Sequence, residues 1–182
     1  MKIVIRNGYV YDPINGINGE KMDIFVEDGR IVEKIDEKDA KIIDATNKVV
    51  MPGGVDIHSH IAGPKVNVGR ILRPEDHRKD PVRKTRITRA GVGYSIPSVF
   101  TTGYRYAIMG YTTVIEPASA PLKNKHTHEE LTDIPMIDKA VFLLLDNNYF
   151  TLTFVKNKEL DKLKLFVAWI LKATKSLSLI HI

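Results

Sequence analysis

Apolar and polar positions alternate through most of the first fifty residues, as expected of strands with one buried face. "KIVIRNGYVYDP" alternates around Asn7-Gly8, and "MDIFVEDGRIVEKI" around Asp28-Gly29. Asn, Asp and Gly tolerate positive φ, so both dipeptides predict tight hairpin turns. A third run, "AKIIDATNKVVMPGG", repeats the pattern around Asn47-Lys48. Isolated hairpins are marginal in water, so these pieces are expected to join one sheet packed against something else.

After Gly54 the period changes. "VDIHSHI" predicts a short strand, followed by a long basic connection punctuated by Gly69, Gly91 and Gly93. That connection exceeds an ordinary loop, which marks an active-site or subunit-contact excursion unless part of it is helical. "IPSVFTTGYRYAIMG" predicts a helix stopped near Gly110, and "YTTVIEP" a strand ended by Pro117. "THEELTDIPMIDKAVFLLLDNN" begins as a helix with acids in its first turn and continues into a short strand near residues 142–145. "KELDKLKLFVAWILKATK" is amphipathic, with Leu160, Leu163, Val167 and Leu171 at three- and four-residue steps. Strands alternating with helices predict an α/β fold with a parallel sheet. Only three such strands would leave edges and apolar faces open, so the chain reads as unfinished.

Composition narrows the chemistry. The 182 residues are 43% hydrophobic and 27% charged, which is the make-up of a globular protein. With no cysteine, disulfides, iron–sulfur clusters and thiol catalysis are excluded within this chain, and metal ligands must be histidine, carboxylate or a modified side chain. "MKIVIRNGYVYDP" enters strand pattern without a signal-like core, and no apolar run is long enough to span a bilayer, so a cytoplasmic location is expected. The net charge of +5 is concentrated in residues 65–89, where nine Lys/Arg face three acids. Aromatics are not interleaved there and no nucleic-acid motif accompanies it. The stretch therefore suits a solvated loop face, a subunit contact or an anionic small-molecule site, and no nucleic-acid partner is expected.

The candidate chemistry sits in "MPGGVDIHSH". Residues two apart on a strand share a face, so His58 and His60 are expected to present imidazoles together, as ligands of one zinc-class ion. Asp56 lies on the same face, as an acceptor behind the ligands or a local hydrogen-bond partner. Two histidines at a strand end can also be ordinary polar residues; the pair with Asp56 favours the metal. His126 and His128 form a second His-x-His at a helix start, where their spacing does not put both on one face. A cap or loop role is favoured for them, with substrate contact open. Glu116, at the end of its strand, either faces the same pocket or is a solvated or paired carboxylate.

"VVMPGGVDIHSH" resembles the first barrel strand of the amidohydrolase superfamily. "HSHIAGPKVNVGRILRPEDHR", "TTGYRYAIMGYTTVIEPA", "KHTHEELTDIPMIDKA", "DNN" and "VAWILKATK" resemble, in that order, the amidohydrolase-type subunits of the formylmethanofuran dehydrogenase family. The resemblance implies an incomplete metal-dependent-hydrolase (β/α)8 barrel preceded by a small β-sandwich segment. Residues 1–52 would be the sandwich portion, 53–175 the first βα units, and 176–182 a non-native tail. It implies a dinuclear zinc site in a full-length member, with His58 and His60 on the more buried ion, a carboxylated lysine bridging the two, and a late aspartate activating the nucleophile. Neither the lysine nor the aspartate is in this chain, so no catalytic residue is assigned and the chain alone is expected to be inactive.

The implied reaction joins formate to the amine of methanofuran, or hydrolyses the resulting amide, within CO2 reduction in methanogenesis. The implied partners are a formate dehydrogenase-like component carrying a molybdenum- or tungsten-pterin, together with the other subunits of that complex. The sequence departs from the family at "SLSLIHI", whose last six residues read like a translated sequencing adapter, so 177–182 and His181 are set aside from fold and site. Two alternatives stay open: a stand-alone β-rich binding or scaffolding protein, and another amide or cyclic-amide hydrolase of the superfamily.

Overall fold

The computed structural model describes residues 1–72 and 98–180. Of the nine Lys/Arg in the basic stretch 65–89, Lys65 and Arg70 are among them, and the other seven lie outside the described residues. The chain divides into two compact units, Met1–Pro52 and Gly53–Ile182.

The first unit is a mixed sheet built on one long strand. β1 (Lys2–Asp12) pairs antiparallel with β2 (Ile17–Glu27), which pairs antiparallel with β3 (Arg30–Val32). The Asp28-Gly29 turn is where the alternation puts it, with both residues at positive φ (48° and 79°) as a tight hairpin requires. Asn7-Gly8 is not a turn. Asn7 takes φ 61° inside β1, where the register slips between Ile5 and Gly8, and its N–H is held by the Asp23 carboxylate at 2.9 Å. The same dipeptide that can close a hairpin here forms a bulge, because the partner strand keeps pairing on both sides of it.

Nor does the third run fold back on itself. β4 (Lys41–Asp44) and β5 (Val49–Val50) both lie parallel to β1, opposite Ile3–Arg6 and Tyr9–Val10 respectively. Strands this short pair poorly with each other, whereas the long β1 offers each a stretch of backbone. Val4, Val10, Ile35 and Ala45 are buried in this unit.

The second unit is an open, all-parallel sheet in chain order, β6 (Gly54–Asp56), β7 (Tyr111–Ser119), β8 (Asp138–Leu144) and β9 (Ser178–Ile180). Helices lie between its strands: α1 (Pro64–Leu72) and α2 (Val99–Ile108), then α3 (Asn124–Asp133), then α4 (Tyr149–Lys156) and α5 (Leu160–Thr174). The parallel alternation is as expected, but the details differ in several places.

β6 ends at Asp56, two residues before the first histidine, because the Asp56 carboxylate accepts the His58 N–H at 3.0 Å and turns the backbone. β7 runs past Pro117 to Ser119; the register to β8 slips between Glu116 and Ser119, which accommodates a residue with no N–H to donate. Part of the long connection is helical, as α1. The sequence pattern does not predict α4; Asn148 starts it by accepting the N–H groups of Phe150 and Thr151 at 3.0 and 3.2 Å. Ser178–Ile180, within the segment set aside as a tail, pair in parallel with Phe142–Leu144.

Two apolar clusters hold this unit. Ile61, Ala62, Val114, Leu131, Ile134, Ile137 and Val141 form one, with Val99 and Tyr106 against it. Leu143, Leu145 and Ile170 form the other, under α5. The first places the segment following β6 directly over β7, and that is where the chemistry-bearing side chains gather. No helix among the described residues is long and apolar enough to cross a membrane.

A candidate metal centre at the end of the first parallel strand

The segment after β6 is laid down by backbone and side-chain bonds to its neighbour β7 and to α2. The Ser59 N–H donates to the Ile115 carbonyl at 3.1 Å, carrying the strand ladder beyond the end of β6. Ser59 and Tyr106 join through their hydroxyls, and the Tyr106 hydroxyl also donates to Asp56 Oδ2 at 2.9 Å. Asp56 thus spends both oxygens on local structure, one on His58 N–H and one on Tyr106, rather than on an imidazole ring. Burial pushes the Tyr106 hydroxyl above its ordinary pKa; the Ser59 hydrogen bond opposes this and the Asp56 carboxylate adds to it.

With Ser59 turned to α2, His58 and His60 stand together. Their ring centroids are 5.7 Å apart and the rings meet edge to face at 78°. His60 Nδ1 lies 3.0 Å from Glu116 Oε1. Glu116 itself is 2% exposed, the largest buried charged side chain of the molecule's described residues, and it is surrounded by donors. Its Oε2 accepts from Ile61 N–H (2.8 Å) and Ala62 N–H (3.2 Å), and its Oε1 from Ala118 N–H (3.0 Å). A buried carboxylate is tolerated where its lone pairs are met in this way.

A second carboxylate grips the same loop from the other side. Glu130 on α3 accepts from Gly63 N–H at 2.9 Å and from Arg70 Nη1 at 3.3 Å, and is bonded to Asn67. Arg70 Nη2 in turn donates to the Ile61 carbonyl at 3.0 Å. Burial pulls the Arg70 guanidinium below its usual pKa, while Glu130 and, more weakly, Glu116 favour its charge. Neither Glu130 nor Arg70 stands out in the sequence; a Glu four residues after His126 on a helix is the one signal that could have found the first.

His126 and His128 diverge. His126 Nε2 meets Glu130 Oε1 at 2.6 Å, while His128 Nε2 donates to the Thr174 carbonyl at 2.9 Å, beside a cavity of about 270 Å³ lined by Asn124, Lys125 and Lys175. His128 ties α3 to the end of α5. Among the described residues no three His, Asp or Glu side chains converge as a metal cage. What stands at the end of β6 is a pair of imidazoles, chemically suited to a zinc-class ion but only part of a four-donor set.

The matches to known proteins fit this layout. The profile of the amidohydrolase family matches residues 41–182. The chain belongs to the amidohydrolase family. It is 54% identical over 179 residues to protein FwdA of Methanocaldococcus jannaschii, covering 98% of this chain and 31% of that protein. It is 37% identical over 155 residues to one component of the formyltransferase/hydrolase complex Fhc of Methylorubrum extorquens, covering 85% of this chain and 27% of the other. The crystal structure of that FhcABCD complex with methylofuran superposes with a TM-score of 0.83 at 36% identity, over 98% of this chain and 32% of that one.

The resemblance carried by Val49–His60 and the later segments is borne out by these matches. So is the fold class: an α/β amidohydrolase whose parallel sheet is an incomplete (β/α)8 barrel preceded by a β-sandwich segment. The chain spans about a third of the length of the relatives it matches.

Proposed function

We propose that this chain is the N-terminal part of the amidohydrolase-type subunit of a formylmethanofuran dehydrogenase, a zinc-dependent protein that interconverts formate plus the methanofuran amine with the formyl amide. The observation that carries the reading is the match along 98% of the chain to the methylofuran-bound FhcABCD structure, with His58 and His60 at the end of the first parallel strand. In (β/α)8 enzymes the chemistry collects at that end of the strands.

His58 and His60 supply two imidazole donors to one ion; Asp56 and Tyr106 fix the backbone that carries them. When bound, a metal pair acidifies water and polarises the formyl carbonyl. The bridging carboxylated lysine and the proton-shuttling aspartate that the family reading implies are not assigned within these 182 residues, which on their own are expected to be inactive. Glu116, and His126 through Glu130, serve as structural partners of the loop after β6, and His128 joins α3 to the end of α5, rather than as substrate contacts. In the cell the full-length protein works in the cytoplasm beside a molybdenum- or tungsten-pterin subunit that supplies formate.

The test is a grafted subunit, in which residues 1–175 replace the matching segment of the Methanocaldococcus jannaschii relative. It is expected to bind zinc and to hydrolyse or form the formyl amide, and His58→Ala and His60→Ala are expected to abolish both. A folded graft that binds no zinc, or that keeps its activity in both variants, overturns the assignment.

A further inference from the structure

We infer that Glu116 is the positioning residue of the histidine pair: it keeps the His60 ring proton on Nδ1 and so presents Nε2 as the nitrogen that faces the metal. The inference rests on the metal reading above and adds to it a role for a buried group that the metal chemistry leaves unexplained. Glu116 makes contacts 54 to 56 residues back in the sequence, all of them to the three residues His60, Ile61 and Ala62, plus one to Ala118.

The geometry assigns the donor role of Nδ1 by elimination. Three of the four partners are backbone N–H groups, which can only donate, and they meet both carboxylate oxygens. Oxygens so placed serve as acceptors toward every backbone group that reaches them. The fourth partner, His60 Nδ1 at 3.0 Å, must therefore be the donor. A neutral imidazole with its proton on Nδ1 has its lone pair on Nε2, and a ligating histidine is commonly oriented through its other nitrogen in this way.

The same carboxylate also fixes where the ring stands. His60 is 44% exposed at its side chain and could otherwise sample several rotamers, whereas Glu116, 2% exposed and bound by three N–H groups, has no freedom to follow it. Of the two roles that the sequence leaves open for Asp56, its bonds to His58 N–H and Tyr106 match the local hydrogen-bond partner, and the carboxylate beside the His60 ring is Glu116 from the neighbouring strand.

Glu116→Gln separates positioning from simple loop support. The amide keeps one oxygen for the Ile61 and Ala62 N–H groups, gives up the bond from Ala118 N–H, and turns an NH2 toward His60, which would donate to Nδ1 and move the ring proton to Nε2. In the metal-free grafted subunit, nitrogen NMR of isotope-labelled histidine is expected to show His60 protonated at Nδ1, and in Glu116→Gln at Nε2. Zinc affinity measured by chelator competition is expected to fall by about 10–100-fold in Glu116→Gln.

A wild-type His60 protonated at Nε2 overturns the inference, and that reading stands even where the variant fails to fold. Zinc affinity of a folded Glu116→Gln within about twofold of wild type overturns it as well. The two levels come apart cleanly: zinc retained in His58→Ala and His60→Ala removes the metal reading itself, whereas zinc lost in those variants but kept in Glu116→Gln removes only the role of Glu116.

Discussion

The Tyr106 hydroxyl donates to Asp56 Oδ2 at 2.9 Å, tying the last turn of α2 to the last residue of β6 across fifty positions of sequence. The bond is to a charged acceptor and is partly shielded from solvent, so Tyr106→Phe is expected to destabilise the grafted subunit by about 1–2 kcal/mol. Urea unfolding of the two proteins measures it, and equal midpoints would show that the bond contributes nothing.

A pH effect accompanies the same side chain. Burial raises the Tyr106 pKa above 10.0, so the folded protein holds this proton where the unfolded chain has released it. The resulting stability is complete below the unfolded value and is lost as pH rises through the folded one. Above about pH 10 the wild type should lose stability relative to neutral pH differently from Tyr106→Phe, which has no such proton to hold. The stabilisation at stake is the part that protonated Tyr106 gains between the two values. Identical slopes in an alkaline series of melting curves would contradict this.

Gly103 lies inside α2, where alanine would ordinarily favour the helix by about 1 kcal/mol. A Cβ there would stand 2.1 Å from the Pro135 carbonyl oxygen and 2.9 Å from the Pro135 nitrogen, both of them backbone. Overpacking against atoms that cannot rotate away costs about 1–3 kcal/mol or more, so the clash wins. Gly103→Ala is expected to lower the melting temperature of the grafted subunit by several degrees, and an unchanged or higher value would place α2 wrongly against Pro135.

The 182 residues on their own should hold zinc weakly or not at all, since two imidazoles leave half of a tetrahedral set to water. Zinc content after gel filtration in chelator-free buffer decides the point. Near-stoichiometric metal that disappears in both His58→Ala and His60→Ala would mean that the described pair finds its remaining ligands within this chain.

The isolated chain is also expected to self-associate. α4 and α5 present Tyr149, Leu165 and Trp169 at 75%, 73% and 61% exposure, along a run of rings from Tyr149 through Phe150, Phe154 and Phe166 to Trp169. Apolar surface of this kind on a separate chain promotes association. A monomeric sample with a single cooperative melt would refute the expectation.

How far the sequence can be read depends on how local each cause is. The Asp28-Gly29 hairpin and α5 follow from neighbours within a few residues, a turn dipeptide and a three- and four-residue apolar repeat. Asn7-Gly8 has the same local preference as a hairpin turn, but the choice of bulge over turn is made by β2, whose pairing resumes on the far side. α4 is hidden because "YFTLTFVK" is rich in aromatic and β-branched residues that favour strands; Asn148 and the packing of Phe150 on Phe166 override that preference.

At the site, His58 and His60 announce themselves by their spacing. Glu116 stays ambiguous, because a strand-end carboxylate can face the pocket or be solvated or paired until the backbone of Ile61 and Ala62 is seen folded over it. The choice between the two roles open to Asp56 is equally hidden, since it depends on Tyr106 arriving from a helix fifty residues away.

The all-parallel order β6-β7-β8-β9 has a consequence for synthesis on the ribosome. Each strand can dock on the one made just before it, so the sheet grows in step with translation. β6 pairs only with β7 among the described residues, so the strand that leads into His58 and His60 is the first to emerge and has one free edge. In a closed barrel that edge is sealed by the last strand to be made. In a chain that closes such a barrel, the histidines would be among its earliest residues to be placed and their surroundings among the latest to be completed.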